Sequence, residues 1–182
     1  MGLAEETDIL DIRLDELGGT QIAGRFQLRR MLGKGGYGAV YAAEQVSVRR
    51  PCAVKVLVPH VAANPRNTQR FEREARLTSQ LVHPNTVVIY DFGLDEQRKL
   101  LFLAMEYIEG ESLREVIRSQ GTIDLESALH ITNQIAGSLQ DAHDRGLVHR
   151  DVKPHNVMIT SRAGDPNFVK VIDIGIAKFL DR

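Results

Sequence analysis

The chain has 182 residues, of which 43% are apolar and 26% are charged, and its formal net charge is −1. This profile is that of a globular protein long enough to bury a core without disulfides, and it excludes a global nucleic-acid-binding or membrane-binding charge. The single cysteine, Cys52, lies in an apolar run, and no Cys/His cluster has the spacing of a zinc site. A lone thiol fits a reducing compartment, so we expect a cytoplasmic location. No apolar stretch is long enough to span a bilayer, so we expect no membrane segment in this chain.

Residues 1–20 form an acidic N-terminal tail, in which six carboxylates stand beside one cation, Arg13. This composition predicts a solvated, partly disordered tail, with the folded domain beginning at residue 21. The apolar residues of the tail have a weak helical spacing. The alternative is therefore a short amphipathic segment that docks on the domain or on a partner.

The predicted elements come in two groups, strands first and then mainly helices. The predicted strands cover residues 26–28, 40–43, 52–58, 86–90, 100–106, 157–160 and 168–172. Apolar stripes predict helices over 65–81 and 124–145, the second ending at Gly146, and a turn is expected at 164–167. This order indicates an α+β chain with two lobes divided near Gly110.

A glycine cluster at residues 33–40 fits the pattern G-x-G-x-x-G-x-V. Glycines let backbone N–H groups approach phosphate oxygens without side chains in the way. A dinucleotide-binding loop shares this spacing but opens a helix, whereas the residues after Ala39 continue as a strand. The cluster therefore predicts a hairpin flap over phosphates, and the alternative is a plain glycine-rich hairpin.

Lys55 follows Ala53 and Val54 on a predicted strand, where its ammonium could hold phosphates if a carboxylate fixes it. Glu72 and Glu74 both lie on the following predicted helix. Their side chains point about 200° apart at 100° per residue, so only one of them can face Lys55.

Residues 149–156 match the H-R-D-L-x-x-x-N motif of protein kinases, with Val152 in place of Leu. In this motif Asp151 would orient the attacking hydroxyl and accept its proton, and Asn156 would ligate Mg²⁺. Lys153 could neutralise the transferring phosphoryl group. His149 is expected to support the loop rather than to react.

Two triplets compete for the metal-binding aspartate. Asp91 begins a literal Asp-Phe-Gly, but it precedes the catalytic loop and is expected to be a turn residue at a strand end. Asp173 begins Asp-Ile-Gly after the last predicted strand and is the metal ligand by position. Ile174 keeps an apolar side chain where the motif has Phe.

The ordered set of motifs resembles the catalytic domain of a eukaryotic-type Ser/Thr protein kinase, of the kind found in bacteria, over about residues 24–180. The resemblance implies a two-lobe kinase-like fold, with the small lobe at about 21–109 and the large lobe from about 110 to 182. It implies an ATP-dependent enzyme that uses Mg²⁺ and phosphorylates a Ser or Thr hydroxyl of a protein, without a nucleic-acid partner. It also favours Glu74 over Glu72.

The resemblance further implies a set of site residues. The catalytic residues would be Asp151, Lys153, Lys55 and Glu74, and the metal ligands would be Asn156 and Asp173. The nucleotide-binding residues would be Leu32, Gly33, Lys34, Gly35, Gly36, Tyr37, Gly38, Val40, Ala53, Lys55, Met105, Glu106, Ile108 and Met158.

The family continues into an activation segment and further large-lobe helices beyond the point where this sequence stops. We therefore expect a complete small lobe, an incomplete large lobe, and little activity of the 182 residues alone toward protein substrates. The apolar stripe of helix 124–145 would then need a partner. The alternative is a non-catalytic nucleotide-binding or interaction module. A small-molecule phosphotransferase is disfavoured by Arg150 and by the Lys153-Pro154 pair.

Overall fold

The computed structural model describes residues 14–36, 38–59 and 64–174. The chain divides into two compact units. The first holds the described residues up to Ala75 together with Ile89–Tyr107, and the second holds Arg76–Val88 and the described residues from Ile108 onward. The first unit is rich in strands, and most helical residues belong to the second.

The first unit is built on a six-stranded antiparallel sheet. Its strands are β1 (Gln21–Ile22), β2 (Phe26–Gly35), β3 (Gly38–Gln45), β4 (Arg50–Leu57), β5 (Ile89–Asp95) and β6 (Leu100–Glu106), in the spatial order β1-β2-β3-β4-β6-β5. Strands β4 and β6 each have a neighbour on both sides and are almost wholly buried on both faces. This explains why they form continuous apolar runs in the sequence instead of alternating patterns. Helix α1 (Pro65–Thr78) follows β4.

The core of the first unit extends further toward the N-terminus than the sequence predicted. Residues Leu14–Glu16 form one 3₁₀ turn, and Leu14 and Leu17 are each 5% exposed within the same core cluster as Phe26 and Tyr41. The folded unit therefore includes Leu14, and not only residues from 21 onward. The acidic composition of the first 20 residues predicted a solvated tail. It did not reveal that two leucines three positions apart can be buried by a single turn. The first 13 residues of the predicted acidic tail lie outside the described residues.

The second unit combines a three-stranded antiparallel sheet with two helices. Its elements are β7 (Glu111–Ser112), α2 (Leu113–Gln120), α3 (Leu125–Asp144), the 3₁₀ turn Pro154–Asn156, β8 (Val157–Arg162) and β9 (Asp165–Val171). Its core includes Ile131, Val157, Val171 and Ile174. Sequence periodicity missed α2, which is short and begins with a capping box between Ser112 and Glu115.

Strand β5 begins three residues later than predicted, at Ile89. Thr86 forms an isolated parallel bridge with Val171, and the Val87 amide donates to the Val171 carbonyl at 3.0 Å. The β-rich stretch after residue 85 is thus divided between the two units, because its first residues pair with β9 and its later ones with β6. Strand β9, in contrast, begins earlier than predicted, at Asp165, inside the predicted turn.

Helix α3 carries exposed apolar side chains near its start. Leu125 is 75% exposed and Leu129 is 62% exposed, while Ile131 packs into the core. Part of the apolar stripe seen in the sequence is therefore on the surface. Within the described parts of the chain, no helix has both the length and the apolar character needed to cross a bilayer.

Candidate active site

Strands β2 and β3 form the glycine-rich hairpin, with Gly33 opposite Val40 and Gly35 opposite Gly38. The chain continues as strand after the glycines, as the sequence indicated. Gly38 is required for packing, because a Cβ there would lie 2.1 Å from the Val56 carbonyl oxygen of β4. Tyr37, predicted to contact nucleotide, lies outside the described residues.

The other glycines of the hairpin are not required by packing inside the chain. A Cβ built on Gly33, Gly35 or Gly36 would have no atom of the described structure within 4 Å. The missing side chains leave open space beside the backbone, which is what close approach of phosphate oxygens needs. The hairpin therefore fits the nucleotide that the sequence implied. Leu32 and Lys34 are exposed, and Lys34 Nζ lies 3.4 Å from Asp15 Oδ1.

Lys55 is held near the centre of the sheet. It stands opposite Val40 of β3 and Leu103 of β6, and it is only 8% exposed. A buried ammonium requires anionic partners. On α1, Glu74 is half-buried with its Oε2 out of solvent, whereas Glu72 is exposed. The two glutamates point in different directions, as helix geometry requires, and Glu74 is the one on the packed side.

The residues proposed to contact adenine lie on both units. In the first, Ala53 of β4 is the register partner of Met105 of β6, and both are buried. Glu106 follows Met105 and is half-buried. In the second unit, Ile108 and Met158 are half-buried, and Met158 stands opposite Lys170 in the β8–β9 pair.

The catalytic-loop residues converge on the carboxylate of Asp151. Lys153 Nζ lies 2.7 Å from Asp151 Oδ2, and Asn156 Nδ2 donates to the same oxygen at 3.1 Å. Asn156 Nδ2 also donates to the Asp151 backbone carbonyl at 2.9 Å. The hydrogen bond from Lys153 lowers the pKa of Asp151 below its ordinary value, although burial acts in the opposite direction, and the bond from Asn156 adds to the lowering. Asp151 is therefore a carboxylate at neutral pH.

His149 ties the loop to the strand end that precedes Asp173. Its side chain is buried, and its Nδ1 accepts from the Asp151 amide at 3.3 Å. Its Nε2 must then carry the proton, and it donates to the Ile172 carbonyl at 3.0 Å. The Ile172 backbone amide in turn donates to the backbone carbonyl of Asn156 at 2.9 Å. These bonds support a structural role for His149.

Two residues of this loop region have left-handed backbone conformations that side chains rarely adopt. Arg150 has φ 65° and Asp173 has φ 60°. Such conformations cost about 1–3 kcal/mol each and persist where the surroundings enforce them. Both residues flank the hydrogen bonds of His149, so the strain is localised at the predicted catalytic and metal-binding positions.

The two competing aspartates have different surroundings. Asp91 lies within β5, not at a strand end as predicted, and its Oδ2 accepts from Arg25 Nη1 at 2.5 Å. The pairing of β5 with β6 shifts register between Ile89 and Asp91. Residues at such an irregularity can look like a turn in the sequence although they lie inside a strand. Asp173 precedes Ile174, which is fully buried in the second core. Gly175 lies outside the described residues.

The donor chemistry of Asn156 and Asp173 fits a hard divalent cation. The side-chain nitrogen Nδ2 of Asn156 is directed at Asp151, so the side-chain oxygen Oδ1 is the atom of this residue that can ligate a metal. Across residues 14–36, 38–59 and 64–174, no group of three or more His, Cys, Asp or Glu side chains could hold a metal ion. Mg²⁺ does not need such a group, since it is commonly held by one or two protein oxygens, substrate phosphates and water.

A contact that sequence reasoning did not single out joins α2 to the catalytic loop. Arg114 Nη1 lies 2.5 Å from His155 Nε2, and both side chains are exposed. The two residues are 41 positions apart. No motif or periodicity in the sequence relates them.

Comparison with known proteins gives a consistent result. Residues 26–182 match the family model described as "Protein kinase domain". The chain is 39% identical over 167 residues to the serine/threonine-protein kinase pkn3 of Myxococcus xanthus and 41% identical over 162 residues to PrkC of Bacillus subtilis. These alignments cover 92% and 89% of this chain but only 30% and 24% of the relatives.

Solved structures are also similar. The kinase domain of PknI from Mycobacterium tuberculosis matches with a TM-score of 0.77 and 33% identity, over 88% of this chain and 63% of that one. Rad53 1–466, solved in complex with AMP-PNP, matches with a TM-score of 0.72 and 26% identity, over 85% of this chain and 39% of that one. These likenesses confirm the α+β fold predicted from the sequence.

Proposed function

The chain belongs to the protein kinase family, and from this premise we propose that its residues serve phosphoryl transfer from Mg-ATP to a serine or threonine hydroxyl of a protein. The relatives named serine/threonine-protein kinases support the choice of hydroxyl. A reducing, cytoplasmic setting is part of the same proposal, consistent with the unpaired, buried thiol of Cys52.

The observation that carries the proposal is the arrangement around Asp151. Lys153 and Asn156 both donate to Oδ2, which leaves Oδ1 as the oxygen to which a substrate hydroxyl would donate. Because the pKa of Asp151 is lowered, its carboxylate is charged and can accept a hydrogen bond that orients the hydroxyl. It would take the proton of that hydroxyl as the phosphoryl group is transferred. The Asn156 bonds to both the side chain and the backbone hold the carboxylate in one orientation.

The rest of the loop positions these groups. The buried imidazole of His149 fixes the Asp151 amide on one side and the carbonyl before Asp173 on the other. The ammonium of Lys153 lies next to the carboxylate that would align the hydroxyl, where it can offset negative charge on a transferring phosphoryl group. Positioning and charge neutralisation are the main contributions a protein makes to this reaction.

Several groups of the first unit suit a nucleotide, and two residues of the second suit its metal ion. The open backbone of Gly33, Gly35 and Gly36 suits the phosphates, and the buried ammonium of Lys55 supplies a positive charge on a rigid strand. Asn156 and Asp173 would hold Mg²⁺, which neutralises charge on the phosphate oxygens when bound. Ala53 and Met105 offer an apolar surface to a flat base.

The experiment that tests the proposal compares Asp151→Asn with wild type in the full-length protein. We expect phosphoryl transfer from labelled ATP to a serine-containing protein to fall about 10²- to 10⁴-fold, the range for loss of a general base. Binding of a fluorescent ATP analogue should change less than about threefold, because the neutral amide keeps the shape of the loop. Asp91→Asn is the matched control, and it should leave transfer near the wild-type rate.

Retention of transfer in Asp151→Asn would contradict the assigned role of Asp151. ATP binding by wild type, with no transfer to any protein hydroxyl, would instead support the alternative of a nucleotide-binding module. The two outcomes are separated because binding and transfer are measured independently.

A further inference from the structure

The contact between Arg114 and His155 creates a cationic surface beside the proposed hydroxyl-positioning carboxylate. Arg114 lies on the first turn of α2, and its Nη1 donates to His155 Nε2 at 2.5 Å. The guanidinium is always charged in proteins. Because Nε2 accepts this hydrogen bond, the imidazole is neutral and carries its proton on Nδ1. The pair therefore presents a fixed positive charge and an exposed N–H donor.

The surface lies within reach of a substrate bound at Asp151. His155 directly precedes Asn156, whose Nδ2 donates to Asp151 Oδ2 at 3.1 Å. Consecutive Cα atoms are only about 3.8 Å apart. An extended substrate advances about 3.3–3.6 Å per residue. With its hydroxyl at Asp151, the side chains about two to four positions away would pass over the Arg114–His155 pair.

The acidic residue next to Arg114 in sequence is engaged by the helix cap. The Glu115 Oε2 accepts from the amide and the hydroxyl of Ser112 at 2.8 and 2.7 Å, which closes the capping box of α2. These bonds are the main cause of its lowered pKa, and the nearby Arg118 and His155 add to the lowering. Arg118, one turn further along the same helix, adds a second exposed cation. Lys153 adds a third cation at the loop, where it is paired with the Asp151 carboxylate, so the three cations outnumber the carboxylates of Glu115 and Asp151.

We propose that Arg114 and His155 select protein substrates that carry an aspartate or glutamate about two to four residues from the phosphorylated serine or threonine. This inference rests on the proposed function, since it requires a protein substrate at Asp151. Arginine pairs with a carboxylate through two parallel N–H donors, which gives direction as well as charge. The selected residue is therefore a carboxylate and not merely any polar side chain.

The test measures peptide binding separately from phosphoryl transfer. Three fluorescent peptides have the same central serine in a glycine-alanine context, with glutamate, glutamine or lysine at the positions two to four residues away on either side. Fluorescence anisotropy gives the dissociation constant of each for the full-length protein. We expect the glutamate peptide to bind about three- to tenfold more tightly than the glutamine peptide, as for a few exposed ion pairs. The difference should shrink at 0.5 M salt.

The variant Arg114→Glu distinguishes a specificity role from a merely structural contact. If the pair selects carboxylates, the charge reversal should turn the preference toward the lysine peptide. If the pair only attaches α2 to the loop, stability would change but the order of peptide affinities would not. Arg162→Ala is the control, because it removes one exposed arginine that lies over the Phe168 ring instead of at the loop. It should keep the wild-type preference.

Equal affinities for the three peptides, no binding of any of them, or an unchanged preference in Arg114→Glu would each overturn the inference. Transfer from labelled ATP to the glutamine peptide is assayed in parallel. Absence of transfer with an intact glutamate preference would count against the proposed function while leaving the selective surface in place. Transfer without a glutamate preference would count against the inference alone.

Discussion

Lys153 Nζ lies 2.7 Å from Asp151 Oδ2, although 47% of the lysine side chain and 36% of the aspartate side chain remain exposed. An ion pair this open to solvent contributes at most about 1 kcal/mol to stability. Its larger effect is on protonation, because Lys153 is the main cause of the lowered pKa of Asp151. The pair is therefore better suited to chemistry than to holding the fold together.

Lys153→Met should move the acid limb of the pH–rate profile to higher pH. The pKa of Asp151 is depressed in the folded protein, so its carboxylate form is lost as pH falls through that pKa. Removing the main cause of the depression raises the pKa, and protonation then begins at higher pH. The measurement is kcat/KM for phosphoryl transfer from about pH 3 upward, a range that includes the ordinary pKa of an aspartate, about 3.9. Lys99→Met, which removes an exposed lysine paired with Glu96, is the control. An unshifted acid limb in Lys153→Met would show that Lys153 does not set this pKa.

His149→Ala should destabilise the protein by about 2–4 kcal/mol. The substitution removes a buried ring and leaves the Asp151 amide and the Ile172 carbonyl without their partner. Urea unfolding measures the change. His143→Ala removes an exposed histidine from the last turn of α3 and should cost less than about 0.5 kcal/mol. Similar stabilities for the two variants would contradict the supporting role assigned to His149.

Two glycines of the same hairpin should respond differently to alanine. Gly38→Ala would place a methyl group 2.1 Å from the Val56 carbonyl oxygen, and Gly38 has φ 154°. We expect it to lower stability by more than about 2 kcal/mol. Gly36→Ala meets no atom within 4 Å, so stability should change by less than about 0.5 kcal/mol.

Gly36→Ala, which should leave stability almost unchanged, should instead change the affinity for nucleotide. If the open space at Gly36 serves phosphate approach, Gly36→Ala should weaken binding of an ATP analogue severalfold while the protein stays folded. Titration of the analogue, with thermal unfolding measured on the same samples, checks both statements. If the Gly36→Ala variant is folded and its affinity for the analogue is unchanged, the open space at Gly36 is not needed for phosphate binding.

Leu17→Ala should show that the segment before residue 21 is part of the folded unit. The side chain is 5% exposed in the core with Phe26 and Tyr41, so its truncation should cost about 2–4 kcal/mol. Leu129→Ala truncates a leucine that is 62% exposed and should cost less than about 0.5 kcal/mol. Denaturant midpoints at constant m-value measure both. A negligible effect of Leu17→Ala would place the start of the fold after this residue.

The fold class and the catalytic loop could be predicted because their signals are local in sequence. Asp151, Lys153 and Asn156 lie within six consecutive residues, so a short motif brings them together whatever surrounds it. The glycine hairpin was predictable for the same reason, since the strand residues after Gly38 exclude a helix. The interior strands β4 and β6 were located correctly because burial on both faces produces an unbroken apolar run.

Features that depend on distant partners could not be predicted. The start of β5 is shifted because residues 86 and 87 pair with β9, about 85 positions further along the chain. Asp91 was expected at a strand end, but its place inside β5 depends on pairing with β6 and on Arg25. Helix α2 has only eight residues, too few for a clear apolar period.

The sequence by itself determined which chemical groups this protein has and how they are spaced along the chain: a carboxylate, an ammonium and an amide in one loop, and glycines in one hairpin. Only the tertiary structure decided which side chains are buried and which meet. It turned Glu74 inward and left Glu72 exposed, placed Leu14 and Leu17 in the core, and brought Arg114 to His155. The physical reason is that burial and long-range contact depend on how elements pack, whereas the spacing of a motif is covalent.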